Sequence, residues 1–191
     1  MKNLTSNWHR SAALFCGGLV LALLPITPVH AKLTSPEPWT TIGSTGSIML
    51  GTYSFQNGTA FLVSPSGVLR YNVVAVDGLM DTSGGLNPPH IRMTARFRDP
   101  DGPSRVTVNL RRTRISDGFT ANVAGVLLDS NNYPPGTQTR STVCASAQVF
   151  DFVNYVYYVE VILTRAPNAI SPSIDAIQIG WDDGGCLAPA Q

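Results

Sequence analysis

The amino-acid sequence predicts an all-β protein, a single antiparallel β-sandwich of about 8–10 strands, jelly-roll-like or immunoglobulin-like. Three observations predict it. Short apolar runs alternate with polar residues at a period of two, turns rich in Gly, Pro and Asn separate them, and no stretch has the length and periodicity of an amphipathic helix. The chain of 191 residues, 43% of them hydrophobic and 13% charged, is long enough for one core. A formal net charge of +1 gives no reason to expect a nucleic-acid partner.

The first 31 residues have the layout of a secretory signal peptide. Lys2 and Arg10 give a basic start, an uncharged apolar run covers 12–26, and Val29-His30-Ala31 ends the segment with small residues at the positions that a signal peptidase reads. A run of about 15 residues is short of the ~20 needed to span a bilayer. The sequence therefore predicts cleavage after Ala31, a secreted protein that is periplasmic or extracellular, and no transmembrane segment in the mature chain.

Removal of the signal segment, which contains Cys16, leaves two cysteines, Cys144 and Cys186. An even pair in an oxidising compartment favours a disulfide. Closing a loop of about 43 residues stabilises a fold by roughly 4 kcal/mol in the chain-entropy model. We therefore predict a disulfide between Cys144 and Cys186.

The remaining chain divides into an extended leader over 32–45 and the β-sandwich domain over 46–191. The leader is rich in Pro, Ser and Thr, has no periodicity, and could add a strand. In the domain, each predicted strand is an alternating or β-branched run between turn signals, and Asn57-Gly58 predicts a tight hairpin. The predicted strands are 47–55, 59–63, 68–76, 90–98, 105–115, 119–128, 142–145, 150–165 and 173–181.

Arginines alternate with apolar residues in the neighbouring strands 90–98 and 105–115. If the turn 99–104 joins these strands as a hairpin, Arg98 lies opposite Arg105 and all the apolar residues share one face. The arginines would then share the opposite face, and like charges that lie opposite each other destabilise a sheet. Either acids from other strands neutralise this arginine face, or the face binds an anion. Arginine forks suit carboxylate, sulfate and phosphate groups. The candidate anion-binding residues are Arg92, Arg96, Arg98, Arg105 and Arg111, and an ordinary solvated face is the alternative.

Aromatic residues offer one candidate for stacking on a ligand. Tyr133 lies in the loop Asn-Asn-Tyr-Pro-Pro-Gly, where a loop tip would expose it. The tyrosines of 150–165 and Trp181 lie in the most apolar runs, and we expect them in the core.

Residues suited to catalysis are scarce, and we predict no catalytic residue. His90 is the single histidine of the mature chain, and no G-x-S-x-G motif accompanies it. Glu160 lies in an apolar strand, where an acid more often pairs with arginine than acts as a general acid. We expect no cofactor, since the Asp-Gly turns 99–102 and 182–185 would each need further oxygen ligands to hold calcium.

These observations favour a secreted non-catalytic binding module, with an anionic polysaccharide or another envelope component as its partner. The first alternative is a structural or protein-interaction protein of the cell envelope. The second is a secreted hydrolase that uses paired carboxylates.

Overall fold

A computed structural model of the chain describes residues 38–76, 79, 91–142 and 150–181. They form two antiparallel sheets that enclose one hydrophobic core, so the predicted all-β sandwich is confirmed. Within these ranges no helix has the length and apolar character to cross a membrane. Several sequence predictions concern residues outside them, namely the signal segment 1–31, His90, Cys144, Cys186 and the turn 182–185.

The described residues contain eleven strands, labelled β1 to β11 in chain order. The first sheet consists of β1 (Trp39–Ile42), β3 (Tyr53–Gln56), β4 (Thr59–Leu62), β6 (Ile91–Asp99), β9 (Gly136–Ser141) and β11 (Ser173–Trp181). The second sheet consists of β2 (Ser47–Leu50), β5 (Ser66–Val73), β7 (Arg105–Arg114), β8 (Thr120–Asp129) and β10 (Tyr155–Thr164).

Strands β4 to β11 wind as a jelly roll. The order in the first sheet is β3-β4-β11-β6-β9, with β1 also on β11, and in the second it is β2-β5-β10-β7-β8. Antiparallel pairs join β4 to β11, β5 to β10, β6 to β9 and β7 to β8. These four pairs make β4–β7 and β8–β11 the two arms of one long hairpin, whose turn lies between β7 and β8. The hairpin is folded so that consecutive strands of each arm lie in alternate sheets. Of the two predicted sandwich types, this is the jelly roll.

The hairpin predicted between 90–98 and 105–115 is wrong. Strand β6 pairs with β9 and β11, whereas β7 pairs with β8 and β10, so the turn 99–104 carries the chain from one sheet to the other. The predicted apolar faces do point into the core, where Phe97 and Val106 are both buried. Alternation gives the same inward face in a hairpin and in a crossover, so the pattern cannot tell the two apart.

The predicted leader contributes β1 to the first sheet. The sandwich therefore begins before residue 46, which was the predicted start of the domain. Trp39 of β1 is buried opposite Ile179. A 3-10 turn then takes the chain to the second sheet at Gly43, where the Tyr71 hydroxyl donates to the Gly43 carbonyl at 2.7 Å. This crossing requires glycine, because a Cβ on Gly43 would lie 1.9 Å from the Ile174 carbonyl oxygen.

Two predicted strands are shifted or divided. The run 47–55 forms two strands in different sheets, because Gly51 turns the chain with a φ of +86°. The run 150–165 becomes a strand only at Tyr155, since the Asp151 carboxylate accepts hydrogen bonds from the next backbone N–H groups and makes a turn. Of the strand expected at 142–145, the structure describes only Thr142, which directly follows β9, and residues 143–149 are outside the described ranges.

Candidate functional site

A groove of about 620 Å³ crosses the outer face of the first sheet. The strand register places its floor in two rows that run across β1, β11, β6 and β9. The first row is Ile42, Ala176, Arg96 and Thr139, and the second begins Thr40, Gln178 and Thr94. A chain-like ligand in this groove would therefore run across the strands.

Five of the ten described residues that line the groove are threonines, while the larger part of the surface exposed in the groove is apolar. Thr41 and Thr45 share a hydrogen bond of 2.6 Å at one end, and Thr94 shares one of 2.8 Å with Ser141 of β9. Hydroxyl groups and the amide of Gln178 each donate and accept hydrogen bonds. Within the described part of the chain, no aspartate or glutamate lines the groove. The groove therefore suits a ligand that is rich in hydroxyl groups.

A β-bulge places one acid at the rim of the groove. The pairing of β11 with β6 shifts by one residue between Ile174 and Ala176, and Asp175 is the extra residue. One oxygen of its carboxylate accepts a hydrogen bond from Arg96 Nε at 3.2 Å, and the other accepts one from the Ser173 hydroxyl at 3.4 Å. The bulge thus sets an acid beside the arginine that lines the groove.

The five candidate arginines do not share a surface. Arg92, Arg96 and Arg98 lie on the outer face of β6 in the first sheet, whereas Arg105 and Arg111 lie on β7 in the second. The single arginine face drawn from the hairpin is therefore wrong, because β6 and β7 belong to opposite sheets. Of the five, Arg96 lines the groove.

Acids neutralise the two candidate arginines of β7, Arg105 and Arg111. Arg105 forms an ion pair with Asp129, and the hydrogen bonds that Arg105 donates hold the pKa of that carboxyl below its usual range. Arg111 Nη1 lies 2.6 Å from Glu160 Oε1. Neutralisation by acids of other strands was the predicted alternative to anion binding, and Arg105 and Arg111 are neutralised in this way by Asp129 and Glu160.

Glu160 lies in an arginine cluster on the outer face of the second sheet, remote from the groove. Its side chain is buried, and both carboxylate oxygens accept hydrogen bonds, one from Arg70 at 3.2 Å and the other from Arg111. The Arg70 guanidinium also lies 4.8 Å from the centre of the Tyr158 ring. Glu160 therefore pairs with arginines, as the sequence predicted, and this role was favoured over that of a general acid.

Tyr133 is half-buried and packs against the core. The Arg140 guanidinium lies 4.5 Å from the centre of its ring, and Tyr133 does not line the groove. Stacking of a ligand on Tyr133 stays a prediction, which this placement does not favour. Of the tyrosines of β10, Tyr157 belongs to the core as expected and Tyr155 packs against it, whereas Tyr158 lies outside the core cluster, beside Arg70.

The Asp-Gly turn that joins β6 to β7 holds a buried acid. Asp101 accepts a hydrogen bond from the Ser104 N–H at 2.9 Å and so closes the turn. Asp99 is buried at the end of β6, and this burial raises the pKa of its carboxyl. Across 38–76, 91–142 and 150–181, no three His, Cys, Asp or Glu side chains are grouped so that they could hold a metal ion.

Sequence reasoning identified Arg96 and missed the other polar groups of the groove. Thr94 and Gln178 stand at outward positions of predicted strands, but alternation does not say which strands are neighbours. The bulge has a visible signal. Ile174 and Ile177 are three residues apart, so strict alternation would put them on opposite faces, and yet both are buried. That break in phase marks the extra residue Asp175.

No family model and no curated protein matches the sequence. Among solved structures, the chain is similar to a low-affinity xylan-binding module from the gut symbiont Roseburia intestinalis, with 10% identity, a TM-score of 0.42 and coverage of 78% of this chain and 98% of that one. It is also similar to a family 30 carbohydrate-binding module of a Clostridium thermocellum cellulase, with 14% identity, a TM-score of 0.36 and coverage of 78% and 96%. A family two carbohydrate esterase from Cellvibrio japonicus shares 15% identity at a TM-score of 0.38, over 76% of this chain and 33% of the esterase. At these identities and TM-scores, function has to be inferred from the residues of the chain itself.

Proposed function

We propose that the protein is a non-catalytic glycan-binding module whose ligand lies in the groove on the first sheet. The observation that carries this proposal is the lining of the groove, where threonine hydroxyls, the Gln178 amide and the Arg96 guanidinium meet on a floor kept open by the small side chain of Ala176. Sugar hydroxyls donate and accept hydrogen bonds, as do threonine and glutamine side chains. The arrangement therefore matches the polar edge of a sugar chain.

The placement of acids favours binding over hydrolysis. A glycosidase needs two carboxyl groups about 5–10 Å apart on either side of the bond to be broken. Among the described residues that line the groove there is no acid, and the acid at its rim, Asp175, is engaged by Arg96. Glu160 lies in the opposite sheet with both oxygens bound by arginines.

We also propose that the glycan carries negative charge. Arg96 and Arg98 lie on one outer face, and Arg98 is half-buried with no ion pair among the described residues. Among the described residues of β6 and β11, Asp175 is the acid on this outer face. Arg96 and Arg98 against this one acid give these residues a net positive charge, which would attract an acidic polymer more strongly at low salt.

The lining also predicts weak binding. The lining residues that the structure describes include no aromatic side chain on which a sugar ring could stack. Hydrogen bonds to sugar hydroxyls contribute about 1 kcal/mol each after desolvation, so four to six of them give a Kd of roughly 0.04–1 mM.

Filling the groove tests the proposal. We expect the parent to bind at least one soluble polysaccharide in isothermal titration calorimetry, without hydrolysing it. The Ala176→Phe variant should bind at least tenfold more weakly, because the ring would occupy the floor. Thr107→Phe, an equivalent change on the outer face of the second sheet, should bind as the parent does. Equal binding by Ala176→Phe and the parent, or no binding by the parent across neutral and acidic polymers, would overturn the proposal.

We further propose that the module is exported, to the periplasm or beyond the cell. The basic start, apolar run and Val29-His30-Ala31 ending of residues 1–31 support this proposal. Expression of the full chain in a secreting host should yield a mature protein that begins at Lys32. Retention of residues 1–31 in the exported fraction would contradict it, and intact mass distinguishes the two results.

A further inference from the structure

We propose that the glycan carries carboxylate groups, and that Asp175 is a positioning residue that holds Arg96 so that its terminal amino groups bind one of them in the groove. This inference rests on the proposed function and names the ligand class of the same site. It assigns a role to the β-bulge of β11, which brings the two side chains together.

The contact geometry leaves the end of the Arg96 guanidinium available. A guanidinium has five N–H donors in a rigid planar fork. Asp175 takes the Nε–H, at 3.2 Å, and the described residues provide no other polar partner for Arg96. The side chain of Arg96 is 58% exposed and lines the groove. Nη1 and Nη2 thus remain for a ligand, and two coplanar carboxylate oxygens match two parallel N–H donors.

Asp175 is itself restrained by its position in β11 and by one neighbouring side chain. It occupies the extra position of the bulge, the Ser173 hydroxyl donates to its second oxygen, and its side chain is 23% exposed. The anchored acid therefore limits the orientations open to the long side chain of Arg96. A pair of two flexible, exposed side chains would not restrict Arg96 in this way, because forming the pair would cost the side-chain entropy of both residues.

The two possible roles of Asp175 predict opposite changes in affinity for an acidic polymer when its charge is removed. Removing Asp175 makes the face more positive, so attraction by net charge alone would strengthen binding of an acidic polymer. A positioning role predicts the opposite, because Arg96 would lose the contact that aims it. The expected result for Asp175→Ala is roughly tenfold weaker binding, the loss of about one well-aligned charged hydrogen bond.

The experiment compares three soluble polymers by calorimetry at fixed ionic strength: polygalacturonate, the same polymer with its carboxyl groups reduced to alcohols, and dextran sulfate. We expect the parent to prefer polygalacturonate to both others. Asp175→Ala should lower polygalacturonate affinity roughly tenfold and change affinity for the reduced polymer less than twofold. Arg96→Lys, which keeps the charge and loses the fork, should give the same pattern.

The matched control is Asp117→Ala, which removes one exposed acid beside Arg114 at the tip of the β7–β8 hairpin in the second sheet. It makes the same change of net charge and should leave polygalacturonate affinity equal or slightly higher. Unchanged or tighter binding by Asp175→Ala, or parent-like binding by Arg96→Lys, would overturn the positioning role.

Two further outcomes separate this inference from the proposed function. If dextran sulfate or the reduced polymer binds in the groove as tightly as polygalacturonate, the carboxylate assignment is wrong and glycan binding stands. If the parent binds none of the polymers, both the inference and the proposed function fail.

Discussion

Replacing Glu160 by alanine would leave Arg70 and Arg111 on the outer face of the second sheet without the acid that joins them. The Glu160 side chain is 10% exposed, and the arginine side chains are 38% and 27% exposed. Breaking a buried ion pair costs about 3–5 kcal/mol, and partial access of water to both arginines reduces this to about 2–3 kcal/mol. At about 2–4 °C per kcal/mol for a domain of this size, the Tm should fall by roughly 4–12 °C.

Thermal unfolding followed by circular dichroism, with urea unfolding alongside it, measures this change. The control is Asp175→Ala, which breaks the more exposed pair with Arg96 and should cost less than about 1 kcal/mol. Replacing Arg70, Glu160 and Arg111 together by Met, Leu and Met should recover most of the loss, because no buried charge is then left unpaired. A Glu160→Ala variant that melts within about 1 °C of the parent would refute the reasoning.

Three other predictions concern the fold. Gly43→Ala should lower stability by more than about 2 kcal/mol in urea unfolding, because its Cβ would overlap the Ile174 carbonyl; a parent-like midpoint would contradict the close crossing. Burial raises the pKa of the Asp99 carboxyl, so the folded state binds a proton at this group more tightly than the unfolded state does. The free energy of unfolding should therefore fall as the pH rises from about 3.9, the unfolded value, through the folded pKa. Asp99→Asn should therefore raise the Tm at pH 7 and not at pH 3, and a gain at both pH values would rule out this cause. Thiol titration of the denatured, unreduced mature protein should find Cys144 and Cys186 unreactive, and two free thiols would disprove the disulfide.

The sequence predicted local features of the fold well. Alternation identified the inward residues Phe97 and Val106, and the run 173–181 matches β11 residue for residue. The Asn57-Gly58 step predicted the hairpin between β3 and β4, because both residues accept the positive φ that the tight turn needs. Each of these features is decided within a few residues of chain.

Pairing between strands was not predictable in the same way. The crossing from β6 to β7 depends on which distant strands, β9, β10 and β11, occupy the neighbouring positions in each sheet. The groove is a product of this long-range order, since it joins Thr40 to Thr139 across four strands. The arginine that lines it, Arg96, was visible in the sequence because charge in an alternating strand is a local signal.

The measurement that tests glycan binding in this groove most directly is a nuclear magnetic resonance titration of the isotope-labelled mature protein with oligogalacturonate. Because the ligand is proposed to lie across β1, β11, β6 and β9, amide shifts should change at groove residues such as Thr40, Gln178, Thr94 and Thr139. Amides around Glu160 in the second sheet should stay unchanged. Shifts centred on the second sheet, or no saturable shift at millimolar ligand, would contradict the account.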